Sequence, residues 1–205
     1  MINPIGVEMD GEFTERKLHN KLWDYLTTLH TQDCFARNWK GWSYRVGKKN
    51  REKTFFYREF DIARFQREKS QYTTRLRLYG YEIKGYEKRT RKYKGQPRTT
   101  YKEPAFGLGI SQALVLLYQG ADFAYLVIPE PEKDKQNDLR DFCDKYSDYV
   151  GVIFATEQGI FRKFRKAKRN IYATEDGKKK MLASLITHPQ VSDIKVPVWC
   201  KKHEF

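Results

Sequence analysis

In the stretch YGYEIKGY, residues 79–86, a carboxylate and a lysine, Glu82 and Lys84, stand two positions apart in a run otherwise suited to a β-strand. Strand side chains alternate faces, so the two point the same way. A further acid, Asp61, sits between Phe60 and Ile62 in another strand-like run. Two carboxylates and a backbone carbonyl, here that of Ile83, make a hard all-oxygen site suited to Mg²⁺ or Mn²⁺. Such an ion lowers the pKa of a water and neutralises charge on a phosphodiester under attack. A lysine beside it can hold or deprotonate that water and stabilise the pentavalent transition state. Glu-X-Lys alone is a common surface ion pair of small energetic weight. Its strand context sets this one apart.

The elements that must position these groups follow from periodicity. Residues 14–29 place Leu18, Leu22, Leu26 and Leu29 on one helical stripe, with Thr14 at the N-cap position. Residues 39–46, 54–65 and 72–86 are aromatic and β-branched, and predict three strands. In the third, Thr74, Leu76, Leu78, Gly80, Glu82 and Lys84 share a face, so the acid–base pair extends a core face into something polar. A hairpin turning around residues 66–71 would set Asp61 opposite Leu76, six positions short of Glu82. A bulge, a bend or a longer turn is needed to join the acids.

Residues 84–102 read as an aperiodic basic loop that leaves the strand of Glu82 and Lys84 directly. Lys88, Arg89, Arg91, Lys92 and Arg98 are its expected phosphate contacts. Helix 105–120, buried strand 122–129, polar helix 133–146 and buried strand 149–155 follow. The segment FRKFRKAKRN, with Arg162, Lys163 and Arg165, fits either a second backbone contact or an exposed helix face; residues 171–205 show no clear pattern. The expected fold class is α/β, a mixed central sheet flanked by helices in one domain over residues 1–205. Its core spans about residues 14–155, with a basic C-terminal extension over about 156–205.

Charge points to the partner. Forty Lys and Arg against 26 Asp and Glu leave a formal net charge of +14, which favours a polyanion, nucleic acid first. No run of about 18 apolar residues suggests a membrane span, and the N-terminal stretch lacks the basic start and apolar core of a signal peptide. Three scattered cysteines, Cys34, Cys143 and Cys200, argue against a disulfide framework and suit a reducing cytoplasm. The four histidines form no metal-binding pair, so the chemistry is not expected to rest on His or Cys.

With these residues the chain resembles the PD-(D/E)XK nuclease superfamily, the restriction endonuclease-like group that includes archaeal Holliday junction resolvases. Asp61 matches the acid of the second strand, and Glu82-Ile83-Lys84 matches the acid-X-Lys of the third. Glu15 matches the helical glutamate of many members, with Glu8 and Glu12 as rivals, and Gln112 in GISQAL matches the glutamine of the following helix. Glu59 is a weaker rival to Asp61, and the motif's proline is replaced in the sequence Glu59-Phe60-Asp61. The family's αβββαβ order fits residues 14–128. The resemblance implies a Mg²⁺-dependent endonuclease, with Mn²⁺ able to substitute, that hydrolyses DNA. Branched or junction DNA is its sharper form, and RNA is the other nucleic acid in reach. Asp61, Glu82, Glu15 and the Ile83 carbonyl would hold the metal, Lys84 the water, and Gln112 would orient Lys84 or the backbone. A homodimer suits duplex cleavage, which needs two sites. The competing reading is a non-catalytic, basic nucleic-acid-binding or nucleoprotein-assembly protein.

Overall fold

The structure, a computed structural model, describes residues 13–39, 59–93, 96–156, 158–187, 191–202 and 204–205. Helix α1 (Glu15–Leu29) buries Leu18, Leu22 and Leu26, as its stripe predicts. Leu29 lies exposed at the helix end, and Thr14 occupies the N-cap position without a side-chain capping bond. Strand β1 (Cys34–Trp39) follows. The strand expected at 39–46 overlaps it only at Trp39 and otherwise lies outside the described residues, as do residues 54–58 of the next. Strands β2 (Phe60–Lys69) and β3 (Thr74–Ile83) continue an antiparallel meander from β1.

Helix α2 (Phe106–Tyr118) carries the chain across to β6 (Phe123–Pro129), and α3 (Lys133–Tyr146) carries it on to β7 (Val150–Ala155). Both strands pair parallel, β6 with β3 and β7 with β6, which requires such crossovers. Strand β8 (Phe161–Arg165), helix α4 (Glu175–Thr187), strand β9 (Asp193–Lys195) and the short α5 (Val198–Lys201) complete the described order. The result is an α/β architecture, a mixed seven-stranded sheet in the order β8-β7-β6-β3-β2-β1-β9 with helices on its faces. One core packs Leu76, Leu78 and Leu126 against Ile110, Ala113 and Leu116 of α2. The other packs Ile62, Tyr81 and Ile83 against Leu18, Leu22 and Leu26 of α1.

Two basic segments differ from their expected form. Residues 84–102 are not an aperiodic loop but a separate two-stranded ribbon, β4 (Glu87–Tyr93) against β5 (Gln96–Lys102). Beyond residue 155 the chain is no appendage, because β8 and β9 form the two edges of the central sheet. The first half of FRKFRKAKRN is accordingly strand β8 rather than a helix face. Cys34 and Cys200, far apart in sequence, meet as buried free thiols, and their contact pushes the Cys34 thiol well above its ordinary range. Among the described residues, no helix is long and apolar enough to cross a membrane.

Candidate active site

Register decides whether the acids meet. The turn lies at residues 70–73, closed by Ser70 N–H donating to the Thr73 carbonyl at 2.8 Å. It is not at the charged segment 66–71, because Gln66–Lys69 continue β2 and pair with residues of β3. The ladder runs from Lys69 opposite Thr74 to Ile62 opposite Tyr81, so the next step sets Asp61 across from Glu82. The later turn closes the six-residue gap without a bulge between these strands.

The two strands part at Asp61. Its carboxylate Oδ2 accepts from the Ile83 backbone N–H at 2.7 Å, standing in for a ladder carbonyl. Its own carbonyl bonds instead to His19 Nε2 of α1, at 2.9 Å. On the other flank Asn38 of β1 takes a left-handed φ of 49°, at the step where Arg37 faces Ile62 and Trp39 faces Phe60. Asn tolerates that region better than most residues. The Arg37 guanidinium donates from Nε to His19 Nδ1 at 2.7 Å, which leaves the imidazole proton on Nε2, where it donates to the Asp61 carbonyl. Burial, and then the charge of Arg37, hold the His19 pKa below its ordinary value. A neutral histidine thus clamps α1 to the backbone of Asp61, a positioning role that neither spacing nor motif signals.

Glu82 is completely buried, and Lys84, 8% exposed, sets Nζ 2.8 Å from Glu82 Oε1. Glu15 of α1 approaches the same ammonium at 3.7 Å, from an exposed side chain. The helix start reaches this point because Tyr86 N–H donates to the Phe13 carbonyl at 2.9 Å and Thr14 bridges to Tyr86. Gly85 permits the approach, since a Cβ there would collide with the backbone of Phe13 and Glu15. On α2, a Cβ at Gly109 would come 3.0 Å from Lys84 Cγ and 2.6 Å from Leu126 Cδ1. The lysine stem therefore runs beneath the first turn of α2.

Gln112 lies one helical turn beyond Gly109. A turn further again, a Cβ at Gly80 would come 2.9 Å from Leu116 Cδ1, so Gln112 lies along α2 between the levels of Lys84 and Gly80. Its Oε1 is buried with no hydrogen-bond partner. Asp61, Glu82, Lys84 and Glu15 thus converge where β2 and β3 part, with Gln112 on the helix that covers the lysine stem. Glu59 precedes β2 and lies half-buried; Glu8 and Glu12 fall outside the described residues. Among the described residues, no three His, Cys, Asp or Glu side chains form a ready-made metal cluster.

The expected phosphate contacts divide into two groups. Lys88 and Arg91 stand exposed on the ribbon, Arg89 is half-buried with Glu87 at 2.9 Å, and the backbone positions of Lys92 and Arg98 face Pro97 and Arg91. The cations of β8 lie at the far sheet edge with partners of their own. Arg162 pairs with Glu130, Arg165 with Asp144 and with Asp148 (2.7 Å), and Lys163 Nζ sits 5.8 Å from the centre of the Tyr125 ring. These acids take up much of the charge that the sequence offers there. No family model matches the chain, and no curated protein matches it in sequence.

Proposed function

We propose that the protein is a metal-dependent endonuclease of DNA with a restriction endonuclease-like core. The observation that carries this reading is the register that sets Asp61 across from Glu82 with Lys84 at its side, at the point where two central strands part. A buried acid–base pair facing a second carboxylate is a costly arrangement for stability alone, and such costs concentrate at functional sites. The donor set suits Mg²⁺, which binds few protein carboxylates and keeps several waters. Asp61 and Glu82 would hold it, with the Ile83 carbonyl and Glu15 as further oxygen ligands. When bound, such an ion acidifies water and neutralises charge on the phosphate. Lys84, which pairs with Glu82 here, would hold a water or a phosphoryl oxygen. Gln112, whose Oε1 has no hydrogen-bond partner, would orient Lys84 or the backbone.

The ribbon supplies the grip. Arg89 and Arg91 share one face with Thr100 and Lys102, and Lys88 lies on the other, so both faces of β4–β5 present cations. A two-stranded ribbon fits the major groove of B-form DNA. Neutralising Arg89, Arg91 and Lys92 together is expected to weaken DNA affinity. It should also flatten the plot of log K against log salt by about 0.9 per lost phosphate contact. An unchanged slope would make the ribbon a bystander.

The test of the function is incubation of the protein with linear duplex, single-stranded and four-way-junction DNA, in Mg²⁺, Mn²⁺ or EDTA. Cleavage in either metal and none in EDTA is the expected result. Salt-sensitive binding with no cleavage under any condition would favour the non-catalytic reading instead.

A further inference from the structure

Between the C-terminal half of α1 and the sheet lies a cavity of about 150 Å³. Leu26, Leu29 and His30 form one wall, and Tyr79, Tyr81 and Tyr125 of β3 and β6 line the sheet side. Tyr81 and Glu82 are successive on β3 and so point to opposite faces, which puts the cavity across the sheet from the acid–lysine pair. Arg64 lines it and is only 7% exposed. A charge at that depth needs partners. Asp33 meets its Nε at 2.6 Å, which uses one N–H of the guanidinium fork. Its Cζ lies 4.7 Å from the centre of the Tyr79 ring, and burial pushes the Tyr81 hydroxyl up to about 12 against the pull of the same guanidinium.

The charge of the lining is one-sided. Lys163 also lines the cavity, and none of the described residues that do so is acidic. Arg162 and Arg165, its neighbours on β8, each pair with a carboxylate, whereas Lys163 pairs with none among the described residues. Burial, and then the charge of Arg64, hold the His30 pKa below its ordinary value; Lys163 and Lys195 act the same way, and Asp33 acts against them. Lys195 also donates to the Thr27 carbonyl, which offsets the negative pole at the end of α1. The opposite side is apolar. Leu29 continues the buried stripe of α1 yet is 58% exposed, and Tyr25 beside it tilts against Phe161 with ring centres 5.1 Å apart. Cations on one side and uncovered apolar surface on the other suit an amphipathic anion. A carboxylate meets a guanidinium in plane through two parallel N–H bonds. A cavity of this volume takes a body of about one benzene ring.

We propose that this cavity binds a small organic carboxylate, with its head on Arg64 and Lys163 and a ring-sized apolar body against Leu29 and Tyr25. The site is independent of Asp61 and Glu82, so its failure would leave the hydrolytic reading untouched.

Calorimetric titration of the full chain with benzoate, benzamide, acetate and inorganic phosphate tests it. Benzoate is expected to bind. Benzamide, its neutral counterpart of the same shape, and acetate, which lacks the ring, should each bind tenfold or more weakly. A site that reads charge alone would take phosphate or acetate as well as benzoate, and one that reads apolar surface alone would take benzamide as well. Either outcome, or no binding of benzoate, overturns the proposal. Arg64→Gln with Asp33→Asn removes the buried pair together, leaves no charge unpaired, and should lose benzoate affinity tenfold or more. Lys163→Gln, a change at an exposed residue, should lose it several-fold with melting unaltered, and carries the test if the double variant does not fold. Bound benzoate should also raise the His30 pKa, read from its ring proton shifts, because a negative charge set among Arg64, Lys163, Lys195 and Asp33 favours the imidazolium. Unchanged affinity in Lys163→Gln together with an unmoved His30 would place any benzoate elsewhere and end the proposal.

Discussion

Lys178→Met is expected to destabilise the protein by about 3–5 kcal/mol, the cost of leaving a buried charge without its partner. The partner is Asp122, which is fully buried and also takes the Leu78 backbone N–H on Oδ2 at 2.9 Å. Lys178 Nζ lies 2.9 Å from that oxygen and also donates to the Leu76 carbonyl, so one ammonium ties α4 to the starts of β3 and β6. Arg169 offers little relief, because its Nε stands 3.5 Å from Asp122 on a half-exposed side chain. Urea denaturation of the single variant and of Lys178→Met with Asp122→Asn separates charge from packing. The double variant should recover most of the loss, since the asparagine oxygen still accepts from Leu78 while no net charge remains buried. A single variant as stable as wild type, or a double variant no better than the single, would mean that the pair does not secure α4.

That pair was out of reach of the sequence for a physical reason. Lys178 opens the run Lys178-Lys179-Lys180, which looks like a solvated face, and its partner lies 56 positions away. Patterning worked where one face of a helix is buried and the other wet, and where an unbroken apolar run marks a strand buried on both faces. Helix α3 lies at residues 133–146, where its pattern places it, and β6 and β7 differ from expectation only at their first residue. It failed where neither pattern stands out. Strand β1 buries Cys34, Phe35 and Ala36 in succession, so no period marks it. The ribbon β4–β5 carries charge on both faces and stands apart from the central sheet, so no apolar stripe betrays it.

The candidate site was legible in kind but not in register. Glu82, Lys84 and Asp61 stand out by type and setting, whereas their meeting depends on where one turn falls. The segment Gln66–Arg67–Glu68–Lys69 looks like a turn because it is polar, yet its polarity serves cross-strand pairing. Arg77 Nε meets Glu68 Oε2 at 2.8 Å, and the Tyr79 hydroxyl donates to Gln66 Oε1 at 2.9 Å. Such pairs stabilise a strand pair as well as apolar contacts do. The clamp of His19 and Arg37 on Asp61 left no trace in spacing, because it joins a helix face to a strand that lies elsewhere in the chain.

The other large effect concerns cleavage. Glu82→Gln keeps the shape of the side chain and removes the charge proposed to hold the metal; Lys84→Met keeps much of the stem and removes the ammonium. Each is expected to lower DNA cleavage by about 10²-fold or more, the usual loss when one group acting in the transition state is removed. DNA affinity should stay near that of wild type if, as proposed, the ribbon contacts carry it. Raised Mn²⁺ should partly rescue Glu82→Gln, whose defect is weaker metal binding, and do little for Lys84→Met. The structure adds a complication, since Glu82 is fully buried and Lys84 is its partner at 2.8 Å. Lys84→Met alone strands a buried carboxylate and should cost stability as well as activity. The double variant Glu82→Gln with Lys84→Met resolves the two roles: melting should return toward wild type, whereas cleavage should stay lost. Glu87→Gln, the neighbouring acid on the ribbon, should cut at close to the normal rate. If stability and activity recovered together in the double variant, Glu82 and Lys84 would be a buried structural ion pair, and the proposed chemistry would have lost its centre.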